Sequence, residues 1–378
     1  MIFKFIHTAD WHIYEQHKYS VNNSKLLQLK TNLKLMIKYA VKNEIDVIFV
    51  AGDIFHVYNP SEKLLKILVW FIKLAIKNGV AVRFITGNHD TDGINYAFES
   101  LKNLAELNSF DSDYPMLAFF PLKENQSTIY TEDIKGTCVV YVPWQNNMAE
   151  VLVESRGLKS NSKPNVLITH CAVDGASTNS GYEMKRTKIT KKILSGWDYV
   201  ALGDFHKYQE VMPNVYYSGS IVKTVWDERH DKRSFNFVQI GDGIHNTTFD
   251  VKRVNLPDDE FIEMELKYES IGEFTTESIE SIDGKKIKNS YIKIFVSGEI
   301  GIGEKLNTLK LHLLKSGAND VQIKIINNVI KTAEGNIDTS DMNLNLDVHS
   351  ACMMYLEQQG ITDTNYKNYI EKILINEK

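Results

Sequence analysis

Hydrophobic positions in the first two hundred residues fall into two alternating patterns. Short apolar runs rich in β-branched and aromatic residues occupy 2–7, 45–50, 80–85, 137–142, 165–169 and 199–202. These are strand-length segments, and the run Ile45 to Val50, which ends in Gly52-Asp53, has the unbroken character of a strand buried on both faces. Between the first two runs, Leu26, Leu29, Leu33, Met36, Ile37, Ala40 and Val41 recur at helical spacing. A second helix is predicted to begin with Asn59 as its cap, Pro60 in the first turn and Glu62 behind it, and to end at Gly79. Its body, Leu64 to Ile76, is apolar nearly all round, so it needs more than one burial partner: a sandwiched position in the core, or a homodimer face. Strands alternating with helices predict an α/β core.

From Val211 to Val254 the pattern turns to strands with a Gly241-Asp242-Gly243 turn, as if a second, antiparallel sheet completed the first domain. The composition shifts near Pro257. Strands are predicted at 261–268, 290–297 and 319–326 with helical patterns between them, the second carried by Leu306, Leu309 and Leu313 and stopped by Gly317. After a polar stretch, Lys331 to Asn345, two short amphipathic helices are expected, one lined by Val348, Cys352, Tyr355 and Leu356, the other by Tyr366, Ile370, Ile373 and Leu374. Two such helices bury little by themselves, so they must dock, on the chain or on another protein.

A length of 378 residues predicts two or three domains. With 43% hydrophobic and 24% charged residues the composition is that of a globular protein, and no apolar run approaches a membrane span. The alternating start, Met1 to His7, lacks the character of a signal peptide, which points to the cytosol. Cys138, Cys171 and Cys352 are far apart and form no CxxC, so core thiols are expected rather than a disulfide framework or zinc ribbon. A net charge of −5 means that any nucleic-acid partner would have to be met by local basic patches or a second subunit.

The candidate chemistry sits at five strand ends: Asp10-Trp11-His12, Gly52-Asp53, Gly87-Asn88-His89-Asp90, Thr169-His170 and Gly203-Asp204-Phe205-His206. All are expected to emerge on one edge of a sheet. A carboxylate ending an apolar strand, as Asp53 does, is costly to bury without a neutralising partner. Oxygen and imidazole donors without thiolates suit Mn, Fe or Zn in a two-metal site better than structural zinc. Phosphoester hydrolysis needs such a set: cations to bind the phosphate oxygens, a carboxylate to bridge them, and a neutral imidazole beside the leaving oxygen.

These motifs together resemble the signature of the calcineurin-like metallophosphoesterases. Within that superfamily, His7-Thr8-Ala9-Asp10-Trp11-His12, Ala51-Gly52-Asp53-Ile54-Phe55-His56 with Pro60, and Asp198 to Gly203 running into Tyr217-Ser218-Gly219-Ser220 look like the SbcD-type nuclease subunits of double-strand-break repair complexes. The resemblance implies a four-layer α/β/β/α phosphoesterase sandwich over residues 1–255, a small α+β DNA-capping domain over 256–335, and a helical pair over 345–378 that docks on a coiled-coil ATPase subunit. It implies a Mn-dependent nuclease (Mg being the other candidate), with exonuclease action on duplex ends and endonuclease action on single strands, working as a homodimer in the cytoplasm of a bacterial or phage-infected cell.

Position by position, the resemblance implies that Asp10, His12, Asp53 and His206 hold a first metal, and Asp53, Asn88, His170 and Asp204 a second. His89 would assist the leaving group, oriented by Asp90, and His56 would help place the nucleotide. His7 is read as a core residue. The departure is at 204, where relatives carry histidine and this chain has Asp; three carboxylates then face two cations, which favours Mn or Mg. Two basic clusters, Lys185-Arg186-Thr187-Lys188 and Arg229 to Arg233, flank the last motif and are candidate DNA-backbone contacts, with a solvated loop the other reading. Two rival classes stand beside the nuclease: a stand-alone phosphoesterase for small phosphodiesters or phosphoproteins, and a binding scaffold on a decayed phosphoesterase fold.

Overall fold

The structure is a computed structural model that describes residues 2–15, 17, 23–101, 115–123, 127–242, 247–274, 281–282, 285–297, 304–326, 329–332 and 335–338. It divides into two compact units, Met1–Phe261 and Ile262–Lys378.

In the first unit the apolar runs form β1 (Ile2–Thr8), β2 (Val47–Ala51), β3 (Ala81–Ile85), β6 (Thr137–Val142), β7 (Asn165–His170) and β8 (Tyr199–Gly203). To these are added β4 (Leu117–Phe120), β5 (Tyr130–Ile134), β9 (Gln209–Met212), β10 (Val215–Tyr217), β11 (Ser234–Asp242) and β12 (Thr247–Asn255). Among the described residues they make two six-stranded sheets, in the orders β12-β11-β1-β2-β3-β4 and β5-β6-β7-β8-β10-β9. At the centre of each sheet the strands run parallel.

Why the strands are apolar throughout follows from what lies on each face. Phe5, Phe49, Val139, Tyr141, Val166, Ile168, Tyr199 and Ala201 fill the space between the sheets. The alternate residues Ile6, Ile48, Val50, Val82 and Phe84 pack outward with α1 (Ser24–Lys42) and α2 (Glu62–Lys77). On the far side Val140, Val142, Leu167, Val200 and Leu202 pack with α3 (Met148–Ser155). With a period of two and both faces covered, every position must be apolar. The result is the expected mixed α/β sandwich of two parallel-rich sheets. His7 is the polar stitch between them: its Nε2–H donates to the Leu202 carbonyl at 3.1 Å, and its Nδ1 lies 2.8 Å from the Tyr199 hydroxyl. Burial lowers its pKa to about 3, so the ring is neutral.

Two expectations need correction. The strands after Val211 do not make a sheet of their own: β9 and β10 extend the second sheet, while β11 lies antiparallel to β1 and carries β12 at the edge of the first. The residues joining β11 to β12, 243–246, lie outside the described residues. The cap of α2 is Ser61, extended at φ −63° and ψ 156°, not Asn59; its carbonyl takes the amides of Leu64 and Leu65. Of the two readings of α2, neither is overturned: it presses Leu64, Ile67, Leu68, Phe71, Ile72 and Ala75 into the core, and Leu65, Val69, Trp70, Leu74 and Ile76 pack against the same core half-buried.

In the second unit β16 (Tyr291–Ser297) and β17 (Asp320–Ile325) pair in parallel, joined by α4 (Glu304–Lys315), and β13 (Phe261–Lys267) completes a three-stranded sheet. Ile262, Ile292, Ile294, Leu309, Leu313 and Val321 form its core. Where a helix was expected after β13, the described residues show a 3₁₀ turn at Tyr268–Phe274 and a two-residue hairpin, β14 (Ser281–Ile282) with β15 (Lys285–Lys286). The polar stretch after Lys331 holds part of another hairpin, β18 (Val329–Thr332) with β19 (Gly335–Asp338). The expected helical pair at 345–378 lies outside the described residues, as does Cys352. No helix among the described residues is long and apolar enough to cross a membrane.

Candidate metal centre

The loops that leave β1, β2 and β3 are locked to one another by main-chain bonds. Asp10 N donates to Gly52 O at 3.1 Å and His12 N to Asp53 O at 3.0 Å. Asp10, His12 and Asp53 all have left-handed backbone, with φ of 53°, 42° and 51°. Non-glycine residues adopt this region rarely and at a cost, and such strain collects at functional sites. Gly87 must be glycine, since a Cβ there would lie 2.2 Å from Asp53 Oδ1. Asp53 Oδ1 also accepts the His89 amide at 2.9 Å.

The second sheet supplies the other side. His170, at the end of β7, donates Nδ1–H to Ala51 O at 2.8 Å, which points Nε2 at Asn88 Oδ1 (2.9 Å), Asp53 Oδ1 (3.5 Å) and Asp204 Oδ1 (3.8 Å). Past β8, Asp204 N donates to Asp10 Oδ1 at 3.0 Å. His206 Nε2 faces His12 Nε2 at 2.8 Å, and its Nδ1 bonds Glu228 Oε1. The sheets meet tightly here: a Cβ on Gly203 would stand 1.9 Å from the Ala51 carbonyl oxygen. The five strand ends therefore come from facing sheets, not from one edge as expected, and the ligand-type side chains converge across the gap.

The electrostatics of the residues call for cations. Burial, with Asp53 beside it, pushes the Asp10 pKa up to about 7 against the pull of His170 and His206. Burial also raises Asp204. His170 and His206 would be lowered by burial, but Asp53, Asp10 and Asp204 around the first, and Glu228 against the second, raise each to about 9. His12 is held well below its ordinary value by burial and by the histidines around it, so its lone pair is available. Asp10 Oδ2 is buried without a hydrogen-bond partner. An orphaned carboxylate oxygen beside the unprotonated His12 ring, with two further imidazoles held protonated by carboxylates alone, is a good fit to a metal. The triads Asp10–His12–His206 and Asp10–Asp53–His170 each bring three donor atoms within 4.8 Å of one another.

Above these lies a stack of imidazoles. His56 packs flat on His89 with ring centroids 5.0 Å apart, His89 donates Nδ1–H to His56 O at 2.9 Å, and His56 Nδ1 lies 3.3 Å from His12 Nδ1. Burial and the neighbouring His89 lower the His56 pKa.

Two expected roles do not survive. Asp90 does not orient His89; its carboxylate accepts the amides of Ile54 (3.1 Å), Phe55 (2.8 Å) and Gly87 (2.9 Å) and so ties the β2 and β3 loops together. Burial, then Asp53, raises its pKa to about 7. Arg233 cannot meet DNA because it is fully buried, its guanidinium on Ser220 Oγ and Glu228 Oε2. Arg229 is half-buried, whereas Lys185, Arg186 and Lys188 are exposed, Lys185 lying 3.7 Å from Glu183. Glu228 was missed altogether: it sits in a 3₁₀ turn, Trp226–His230, with no motif to mark it.

Residues 3–208, more than half of the chain, match the calcineurin-like phosphoesterase family. Similar solved structures include a dimetal phosphatase from Danio rerio (TM-score 0.38, 10% identity, 68% of this chain and 99% of that one). Another is GAP50, the anchor in the inner membrane complex of Plasmodium (TM-score 0.35, 11% identity, 89% of this chain and 99% of that one).

Proposed function

Because the chain belongs to the calcineurin-like phosphoesterase family, which uses a dimetal centre, we propose that it is the Mn-dependent nuclease subunit of a DNA repair or recombination complex. The observation that supports this reading most directly is His56, the residue of the SbcD-like stretch Gly52-Asp53-Ile54-Phe55-His56, which stacks on His89 and abuts His12 above the ligand cluster. Asp10, His12, Asp53 and His206 would hold one cation and Asp53, Asn88, His170 and Asp204 the other, with three carboxylates favouring Mn or Mg. When bound, such a pair supplies Lewis acidity at the phosphate oxygens and a nucleophile from water at neutral pH.

The remaining steps belong to side chains. With Nε2 of His12 committed as a ligand, its Nδ1 carries the proton and donates to His56 Nδ1, which leaves His56 Nε2–H as a donor for a phosphate oxygen. His89, whose Nδ1–H is spent on His56 O, has Nε2 free to carry a proton to the leaving oxygen. Lys185, Arg186 and Lys188 would track the DNA backbone, and Arg229 stands closer to the fold. The second unit would cap the DNA, residues 345–378 would dock on a coiled-coil ATPase subunit, and the half-buried side of α2 would pair two copies.

A second reading, a phosphoesterase for small phosphodiesters or phosphoproteins, draws support from the net charge of −5 and from the burial of Arg233. End-labelled duplex and single-stranded DNA, and a chromogenic phosphodiester, incubated with Mn or Mg separate the two. DNA cleavage is expected, with kcat about 10²- to 10⁴-fold lower in His89→Ala. Hydrolysis of the chromogenic ester without any cleavage of DNA would favour the second reading, and an unimpaired His89→Ala would end the assignment of His89.

A further inference from the structure

Glu228 is a carboxylate with no exposed surface, placed in a short 3₁₀ turn that could as easily carry an apolar residue. Burying that charge is unfavourable unless every oxygen is engaged. Here Oε2 accepts the Thr224 amide at 2.7 Å and lies 3.5 Å from the Arg233 guanidinium, while Oε1 accepts from the Thr224 hydroxyl at 3.3 Å and from His206 Nδ1. Arg233, also fully buried, continues to Ser220 Oγ, and Ser220 N returns to the His206 carbonyl at 3.2 Å. The contacts close a circuit, His206 Nδ1 to Glu228 to Arg233 to Ser220 to His206 O, that grips one residue by its ring and by its main chain. Gly219 lets the strand end approach this closely, since at φ +74° a Cβ would meet His206 O at 3.0 Å.

The geometry points to Glu228 as the positioning residue of His206, with Arg233 as its counter-charge: by accepting Nδ1–H, Glu228 fixes the tautomer whose Nε2 lone pair faces His12 Nε2 and the Asp10 carboxylate. The inference rests on the dimetal reading of the centre. His170 shows the alternative device in the same site, since its Nδ1–H goes to a main-chain carbonyl, Ala51 O. Among the described residues the His206 ring bonds no main-chain carbonyl, and a buried carboxylate takes its place. Partners of this kind tune ligand basicity as well as direction, and their loss typically weakens metal binding 10- to 100-fold.

The test is Mn²⁺ binding by the EDTA-stripped full chain, followed by the electron paramagnetic resonance of free Mn²⁺. The unsubstituted chain is expected to take two ions, and Glu228→Ala to weaken one of them about 10- to 100-fold while sparing the other. Glu228→Gln, whose amide oxygen can still accept Nδ1–H, is expected to recover most of that affinity. Because Ala at 228 leaves Arg233 buried without its counter-charge, Glu228→Ala/Arg233→Met is measured alongside; it should regain resistance to urea and keep the weakened ion. Two tight ions in Glu228→Ala, no recovery in Glu228→Gln, or a deficit that vanishes in the double variant would each overturn the positioning role. If the unsubstituted chain failed to bind two ions, the dimetal reading would fall, and this inference with it.

Discussion

The two sides of the centre are built on different principles. On the side of β1, β2 and β3, functional residues are held by the main chain: Asp53 takes the His89 amide, Asp90 takes three amides, and Asp10 and His12 are bonded through their own backbone to the β2 loop. On the side of β7 and β8, the His206 ring is held by the buried side chain of Glu228, itself backed by Arg233, while the Ser220 amide meets its carbonyl, and Asp204 is over a quarter exposed. Support by main chain depends on the loops keeping their path and tolerates changes elsewhere. Support by side chains can be removed one residue at a time, and the first side should then be indifferent.

The largest expected effect lies on the side-chain-supported half. Arg233→Ala removes the buried guanidinium paired with Glu228, leaving that carboxylate the His206 ring and the Thr224 amide, and should lower stability by about 3 to 5 kcal/mol in urea unfolding of the metal-free protein. A loss below ~1 kcal/mol would mean that the half is not held by this pair. On the other half, Asp90→Ala leaves three buried amides without their acceptor, at about 1 kcal/mol or more each. Asp90→Asn keeps one acceptor oxygen and should lose clearly less; equal losses in the two variants would mean that the carboxylate works by charge, and the contrast between the halves would blur.

His7 joins the two sheets, and its effect depends on pH. The folded ring stays neutral down to about pH 3, whereas in the unfolded chain it binds a proton below its ordinary pKa of 6.5. Stability therefore rises with pH between those values, His7 contributing a slope of up to about 1.4 kcal/mol per pH unit, and none above 6.5. Urea midpoints at several pH values between 4 and 7 should show a shallower slope for His7→Gln, and parallel slopes would remove His7 as the titrating stitch. The smallest effect belongs to the exposed cluster: Lys185→Ala with Lys188→Ala should leave stability within about 0.5 kcal/mol and flatten the salt dependence of DNA binding. An unchanged salt slope would mean that these lysines touch no phosphate.

What could be read from the chain follows the same divide. Asp10, Asp53, Asn88 and His89 stand directly after apolar runs, so local pattern alone placed them at strand ends. His170 and Asp204 were placed equally well, but the sheet they belong to was not, because a strand buried on both faces carries no mark of which sheet it joins. The pairing of β11 with β1 is non-local in the same way. Glu228 and Arg233 look like any charged pair in a polar turn, and only the fold reveals that both are sealed against His206. Asn59 and Ser61 are both good helix caps around Pro60, and local preference could not choose between them.

The near contact of Gly203 with the Ala51 carbonyl has a consequence for evolution and for engineering. Backbone touches backbone there, so the separation of the two ligand-bearing strand ends is set by atoms that no side-chain substitution at the ligand positions can move. Donor identity and donor spacing are thus inherited separately. An exchange at the candidate ligand Asp204 is the kind of change such a scaffold absorbs, and on the proposed dimetal reading it would retune metal preference on an unchanged frame.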